Sequence, residues 1–155
     1  QLAKALGASK VITTCSPSHF ELVKRLGADE AIDYHTSNWW EVIPNRSVDV
    51  VYDCAPHRGT GGHAYRVLRD GGTFVTLLPH SLAGIRPMLS RPSVKQLFYL
   101  NVLDKSSSDL DFLRRLVESG QLRPVVDSIY DLSNIGEALS RSMGRHAAGK
   151  IVIRM

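Results

Sequence analysis

Ser16, Ser18 and His19 crowd one short stretch directly after a β-prone run, Val11–Ile12–Thr13–Thr14–Cys15. Hydroxyls and an imidazole at a strand end can donate to an oxyanion, and no acid stands among them. A dinucleotide site built for an unphosphorylated ribose puts Asp or Glu at that strand end, to accept from the sugar hydroxyls. Cys15–Ser16 stands there instead. The pattern favours a 2′-phosphate, hence NADP over NAD, with Ser16 as the donor. Ser18 reads as a helix cap, with Glu21 in the capping-box position. Tyr34 ends the next β-prone run. Its hydroxyl either bonds the same phosphate or is the wet end of an interfacial tyrosine.

Two later strand ends carry a different chemistry. Asp53–Cys54–Ala55–Pro56 and Leu77–Leu78–Pro79 fall where ligands meet the carboxyl edge of a parallel sheet. Small residues at Cys54–Ala55 let a flat ring approach the backbone. Neither segment holds a proton-transfer group, which suits positioning over acid–base work, so no catalytic residue is assigned. Asp53 reads as structural. The six histidines (19, 35, 57, 63, 80 and 146) show no ligand spacing, and no metal site is expected. The loop RGTGG between His57 and His63 lacks the full phosphate-loop pattern. Ser81 and Ser90 sit in no nucleophile elbow.

The elements that must hold these residues follow from periodicity. Lys10–Tyr34 reads as strand, polar turn, amphipathic helix on Phe20, Val23 and Leu26, a Gly27 stop, and a second strand. That is a βαβ crossover of about 25 residues, the unit of a parallel sheet. Trp39–Val42 reads as a short helix capped by Thr36 or Ser37. Val48–Asp53 reads as a strand buried on both faces. Ala64–Leu68 is expected to be helical and to end at Asp70–Gly71–Gly72. Thr73–Leu78 and Lys95–Leu103 are expected strands, the latter also readable as helix. Leu110–Ser119 is an amphipathic helix stopped by Gly120, and Ser133 is placed to cap the helix Ile135–Met143. Ile151–Arg154 is extended. Strand–helix alternation stops near Arg123, and no repeat is visible. Gln1–Ala8 reads as the last turns of a helix that should follow a strand and a glycine turn.

Composition excludes several classes. The 155 residues suffice for a proper core, and 43% hydrophobic with 22% charged is ordinary for a globular domain. Net charge is +4, but the arginines are scattered, so no nucleic-acid surface is expected. No run approaches a membrane span, and no signal peptide is visible. Cys15 and Cys54 belong to no CxxC and fall at ends of strands expected to be buried, which points to a reduced intracellular compartment, cytoplasmic or mitochondrial.

Four stretches, QLAKALGASKVITTCSPSHFELVKRLGADEAIDYH, VDVVYDCAP, LRDGGTFVTL and LVESGQLRPVVDSIYDLSNIGEAL…GRHAAGKIVI, together resemble the medium-chain dehydrogenase/reductase superfamily. Their branch resembles the zinc-independent quinone oxidoreductases. The resemblance covers nearly the whole chain. It implies an α/β fold: a Rossmann-type, doubly wound parallel sheet lacking its first strand and glycine turn, with a C-terminal return segment. Residues 1–121 would be the dinucleotide-binding part, and 122–155 the return into the catalytic domain. By the same resemblance Ser16, Tyr34 and Arg145 match the 2′-phosphate site. Cys54, Ala55, Leu77 and Leu78 match the nicotinamide side, and Phe98 and Leu100 a strand that meets the carboxamide.

Two positions depart from the pattern. Phe20 stands where many members carry lysine, with His19 or Lys24 as substitutes, and Pro56 replaces a glycine. The implied activity is NADPH-dependent hydride transfer to an electron-poor alkene or quinone. The implied partner is that small molecule, with self-association as a homo-oligomer left open. The isolated chain is expected to turn over little, because the pyrophosphate-binding turn would lie upstream. The rival reading is a degenerate, non-enzymatic dinucleotide-binding module for protein partners. A methyltransferase-like sheet fits the order of segments less well.

Overall fold

The computed structural model describes residues 1–55, 58–99, 107–144 and 147–155. Along the chain run α1 (Leu2–Ala5), β1 (Ile12–Cys15), α2 (Phe20–Arg25), β2 (Glu30–Asp33), α3 (Trp39–Val42), β3 (Val48–Asp53), α4 (Thr60–Val67), β4 (Leu68–Thr76), α5 (Ile85–Ser90), β5 (Lys95–Phe98), α6 (Ser107–Glu118), β6 (Val126–Asp131), α7 (Ile135–Met143) and β7 (Lys150–Arg154). They form an α/β fold with parallel strands, divided into two compact units. One is contiguous, Asp33–Lys105; the other joins Gln1–Ile32 to Ser106–Met155.

In the contiguous unit β3, β4 and β5 lie in that order, both pairs parallel. Ala64 and Tyr65 of α4 pack with Leu68 and Phe74 of β4, and with Ala83 and Val94, against Trp39, Val48 and Val51. β3 is not buried on both faces as its apolar run predicts. It lies at the sheet edge, and Val50 and Tyr52 are 58% and 60% exposed. The run is continuous in composition, yet its inward residues, Val48 and Val51, are the ones that meet the core. Leu68–Gly72 also departs from expectation: α4 passes straight into β4, and Asp70–Gly71–Gly72 falls inside the strand. Val48 pairs with Leu68 but Val50 with Thr73, so the extra residues bulge out, with Gly71 at φ +78°. Arg91 secures this junction. Its guanidinium donates to the Tyr65 carbonyl, to the Leu68 carbonyl at 2.7 Å and to Asp70 at 2.6 Å. A cation there answers the carbonyls left open at the helix end. α5 is a helix the periodicity did not reveal, because Pro87 sits in its first turn.

In the discontinuous unit β1 pairs with β2, and β6 pairs in parallel with β7. Gly27 and Gly120 adopt φ +104° and +74°, the left-handed geometry their helix-stop positions require. The expected caps do not form. Pro17–His19 is a 3-10 turn, α2 starts only at Phe20, and Ser18 faces Ser16 instead. Asn38, not Thr36 or Ser37, precedes α3, and Thr36 Oγ1 donates to Asp33. Ser133 lies within the turn Leu132–Asn134, ahead of α7. At α2 and α7 a 3-10 turn displaces the helix start from the capping residue, and at α3 Thr36 is drawn back to Asp33.

Asp127 on β6 holds the chain between α7 and β7. It accepts Arg141 Nε and Nη2 at 3.0 and 2.7 Å, and the Ala148 amide and Ser128 hydroxyl at 2.9 Å each. Those bonds, the Arg141 pair first, hold its carboxyl far below the usual carboxylate range. A depressed folded value means the contribution is present above the ordinary value near 3.8 and lost as pH falls towards the folded one. Thermal melts between about pH 5 and pH 2 are therefore expected to show a falling midpoint. Asp127→Asn should lower the midpoint at neutral pH and flatten that acid slope. It should do so more than Asp131→Asn, whose bond to Arg154 is exposed. Equal effects of the two variants would contradict the assignment.

Candidate functional site

The three parallel strands of the contiguous unit end level. Asp53 pairs with Thr76, Thr76 pairs with Phe98, and the Tyr99 amide donates to the Thr76 carbonyl at 3.0 Å. Cys54–Ala55, Leu77–Leu78 and Phe98 therefore stand side by side on one carboxyl rim. Cys54, Ala55 and Leu78 are exposed, and Leu77 and Phe98 half-buried. Leu100, Pro56 and His57 lie outside the described residues.

The Cys54 thiol is not a nucleophile in waiting. Desolvation, with Asp53 beside it, pushes its pKa up, while a hydrogen bond with Tyr52 pulls the other way. A thiol so shifted stays protonated at neutral pH. Cys54 is exposed rather than buried, and Cys15 half-buried; neither is bridged. Among the described residues the rim segments Cys54–Ala55, Leu77–Leu78 and Phe98 are small, open and without a proton-transfer group, a surface for a flat ring.

The second cluster sits after β1. Ser16 Oγ lies 2.9 Å from Ser18 Oγ and 3.1 Å from His19 Nδ1. The sequence reading assigned Ser18 to a cap, so its place beside Ser16 was missed. Tyr34 follows β2 and is exposed, with its ring 4.2 Å from that of His35. Asp33, the nearest acid in sequence, spends both carboxylate oxygens on its own turn: the His35 amide at 2.9 Å and the Thr36 hydroxyl at 3.2 Å. Arg145 lies outside the described residues. The structure thus brings Cys54, Ala55, Leu77, Leu78 and Phe98 together on one rim, and Ser16 together with Ser18 and His19. A hydroxyl–imidazole donor set without a carboxylate fits a phosphate monoester. The open apolar rim fits an aromatic ring.

Two glycines of RGTGG have structural roles, one in backbone conformation and one in packing. Gly59 takes φ +93° at the entry to α4, and Gly61 lies against the backbone of Ser81–Ala83. His63 stacks on Trp40 at 3.9 Å and 10°. Among the described residues no group of three or more His, Cys, Asp or Glu could hold a metal ion, and no helix is long and apolar enough to cross a membrane.

Comparison with known proteins bears on the family. The zinc-binding dehydrogenase family profile matches residues 26–153. The chain is 36% identical over 99% of its length to an Arabidopsis thaliana chloroplastic NADPH-dependent alkenal/one oxidoreductase, and covers 36% of that protein. It is 35% identical, again over 99%, to the chloroplastic quinone-oxidoreductase QR1 of Triphysaria versicolor, covering 47% of it. The quinone oxidoreductase structure from Coxiella burnetii superposes on 99% of the chain with a TM-score of 0.80 at 25% identity, 47% of that structure being covered. The chain therefore spans less than half the length of these relatives. These relatives are oxidoreductases by name. An α/β fold of parallel strands and a profile match over most of the sequence agree: the chain belongs to the zinc-binding dehydrogenase family, in the quinone-oxidoreductase-like branch of the medium-chain dehydrogenase/reductase superfamily.

Proposed function

We propose that this chain is the cofactor-binding part of an NADPH-dependent oxidoreductase that reduces quinones or electron-poor alkenes. Residues 1–121 then form a Rossmann-type dinucleotide domain, and 122–155 the return towards a catalytic domain. The observation that carries the reading is the level ending of β3, β4 and β5, which sets Cys54–Ala55, Leu77–Leu78 and Phe98 on one rim. Ligands of open parallel sheets bind at that edge. The name of the Arabidopsis relative, an NADPH-dependent alkenal/one oxidoreductase, supports the choice of carrier and acceptor.

When bound, the reduced nicotinamide supplies a hydride; the protein supplies orientation. Ser16 holds the 2′-phosphate, with Tyr34 and Arg145 as further donors. Cys54 and Ala55 leave room for the ring. Leu77 and Leu78 cover it on the neighbouring strand, and the main chain at Phe98, with Leu100 assigned by the family resemblance alone, meets the carboxamide. None of the described residues Cys54, Ala55, Leu77, Leu78 and Phe98 moves a proton in this reading, so proton delivery falls to other groups. The chain's two unbridged thiols agree with a reducing compartment, cytoplasmic or mitochondrial. Zinc independence is part of the same reading, on the branch alone.

A fluorescence titration with NADPH tests the reading. The parent chain should bind NADPH in preference to NADH. Ser16→Asp puts a carboxylate against the phosphate and should weaken NADPH binding about ten- to a hundredfold, roughly 1.4–2.8 kcal/mol, while leaving NADH unchanged or improved. A parent chain that binds neither dinucleotide, or a variant that loses both alike, would refute the reading.

A further inference from the structure

Thr76 and Ser81 have no solvent exposure and are the two largest fully buried polar side chains described. Their hydroxyls meet at 2.5 Å. Between them the chain leaves β4 and carries Leu77 and Leu78 onto the rim. Ser81 Oγ lies 2.8 Å from the Leu78 carbonyl, and the Leu78 amide lies 3.3 Å from Thr76 Oγ1. Each hydroxyl has one proton; Thr76 Oγ1 also lies 3.4 Å from the Leu78 carbonyl, but the shorter contacts, Ser81 to that carbonyl and Thr76 to Ser81, select one arrangement. Ser81 donates to the Leu78 carbonyl, Thr76 donates to Ser81, and the Leu78 amide donates to Thr76. The result is a closed, one-directional ring that engages both main-chain polar groups of Leu78. Closed networks of this kind strengthen each member and select one geometry.

The ring is braced from two further sides. The Ala83 amide donates to Gln96 Oε1 on β5 at 2.7 Å. Gly61 of α4 lies so close to Ser81–Ala83 that a Cβ there would stand 2.2 Å from the Ala83 nitrogen. A valine and an alanine of similar shape would fill the same space, and the net stability of a buried neutral hydrogen bond is small. What the hydroxyls add is a fixed height and direction for the Leu77–Leu78 peptide.

We propose that Thr76 and Ser81 are positioning residues: their hydroxyl ring sets the Leu77–Leu78 rim against the nicotinamide end of the cofactor. The proposal rests on the function proposed above. It assigns work to two residues that touch no cofactor themselves. A misplaced rim loosens the ring of the carrier without disturbing its phosphorylated adenosine end.

The test compares two ligands on the full chain: NADPH, and 2′,5′-ADP, which shares the phosphorylated adenosine but has no nicotinamide. Thr76→Val and Ser81→Ala should each weaken NADPH about tenfold and leave 2′,5′-ADP within twofold, with Thr76→Ser restoring NADPH binding. A urea melt with the parent's midpoint and cooperativity shows that each variant is folded, and a variant whose midpoint falls along with its NADPH binding would make the pair merely structural and overturn the proposal. Both ligands weakened alike would make the pair merely structural and overturn the proposal. So would variants that bind NADPH as the parent does. Failure of the parent to bind NADPH at all would instead remove the functional reading beneath it, and the proposal with it.

Discussion

Gly61→Ala is expected to remove a large share of the contiguous unit's stability, about 3 kcal/mol. The added methyl would stand 2.2 Å from the Ala83 nitrogen, 2.6 Å from the Ser81 oxygen and 2.7 Å from the Leu82 carbonyl carbon. All three are backbone atoms, so no side chain can rotate aside. Relief requires α4 to lift from the turn, which pulls Ala64 and Tyr65 away from Phe74 and Ala83. Overpacking a good core costs about 1–3 kcal/mol and occasionally more. With main chain on both sides the upper end, about 3 kcal/mol, is the expectation, against a total of roughly 5–15. Gly62→Ala is the control. Nothing lies within 4 Å of its Cβ, so the same substitution one residue on should gain up to about 1 kcal/mol of helix propensity. Denaturant melts of the pair read the difference, and a Gly61→Ala protein as stable as the parent would rule out the close approach.

Phe74→Ala is the second large effect expected, about 3–5 kcal/mol. Phe74 has no solvent exposure and sits on the central strand of the three. It touches the cluster that α4 makes with Ala83 and Val94, so its removal leaves a void that the paired strands on either side cannot close. Phe74→Leu keeps most of the volume and should lose less than about 1.5 kcal/mol. Val50→Ala, on the exposed face of β3, should change stability by no more than about 0.5 kcal/mol. Urea titrations order the three. A Phe74→Ala cost near that of Val50→Ala would place the core elsewhere.

The strand ends were legible because they depend on local pattern. The β-prone run before Cys15, the run before Cys54 and the apolar segment before Pro79 each end where the chain must turn, and the observed strands end within two residues of those points. The parallel alternation followed from helix-length spacers between them. Helix starts were less legible. Pro17–His19 and Leu132–Asn134 both insert a 3-10 turn, and a capping residue cannot signal a turn added after it. The burial of β3 was overread because composition cannot say whether a strand has neighbours on both sides. Thr76 and Ser81 carried no signal at all. Their meeting depends on how the chain folds back after β4, and five residues of separation fit many turns. Gly61 likewise read as one glycine among several, since its necessity lies in Ser81–Ala83, twenty residues on.

The two units differ in how the chain builds them, and that sets an order on the ribosome. Asp33–Lys105 is one uninterrupted stretch and can close once Lys105 has emerged. Gln1–Ile32 must wait. Gln1 exchanges two hydrogen bonds with Arg123, and the β6 strand that follows finds its partner only at Lys150–Arg154. The discontinuous unit is therefore finished after the contiguous one, and residues 1–32 stay open to proteases and chaperones until the strand Lys150–Arg154 has emerged.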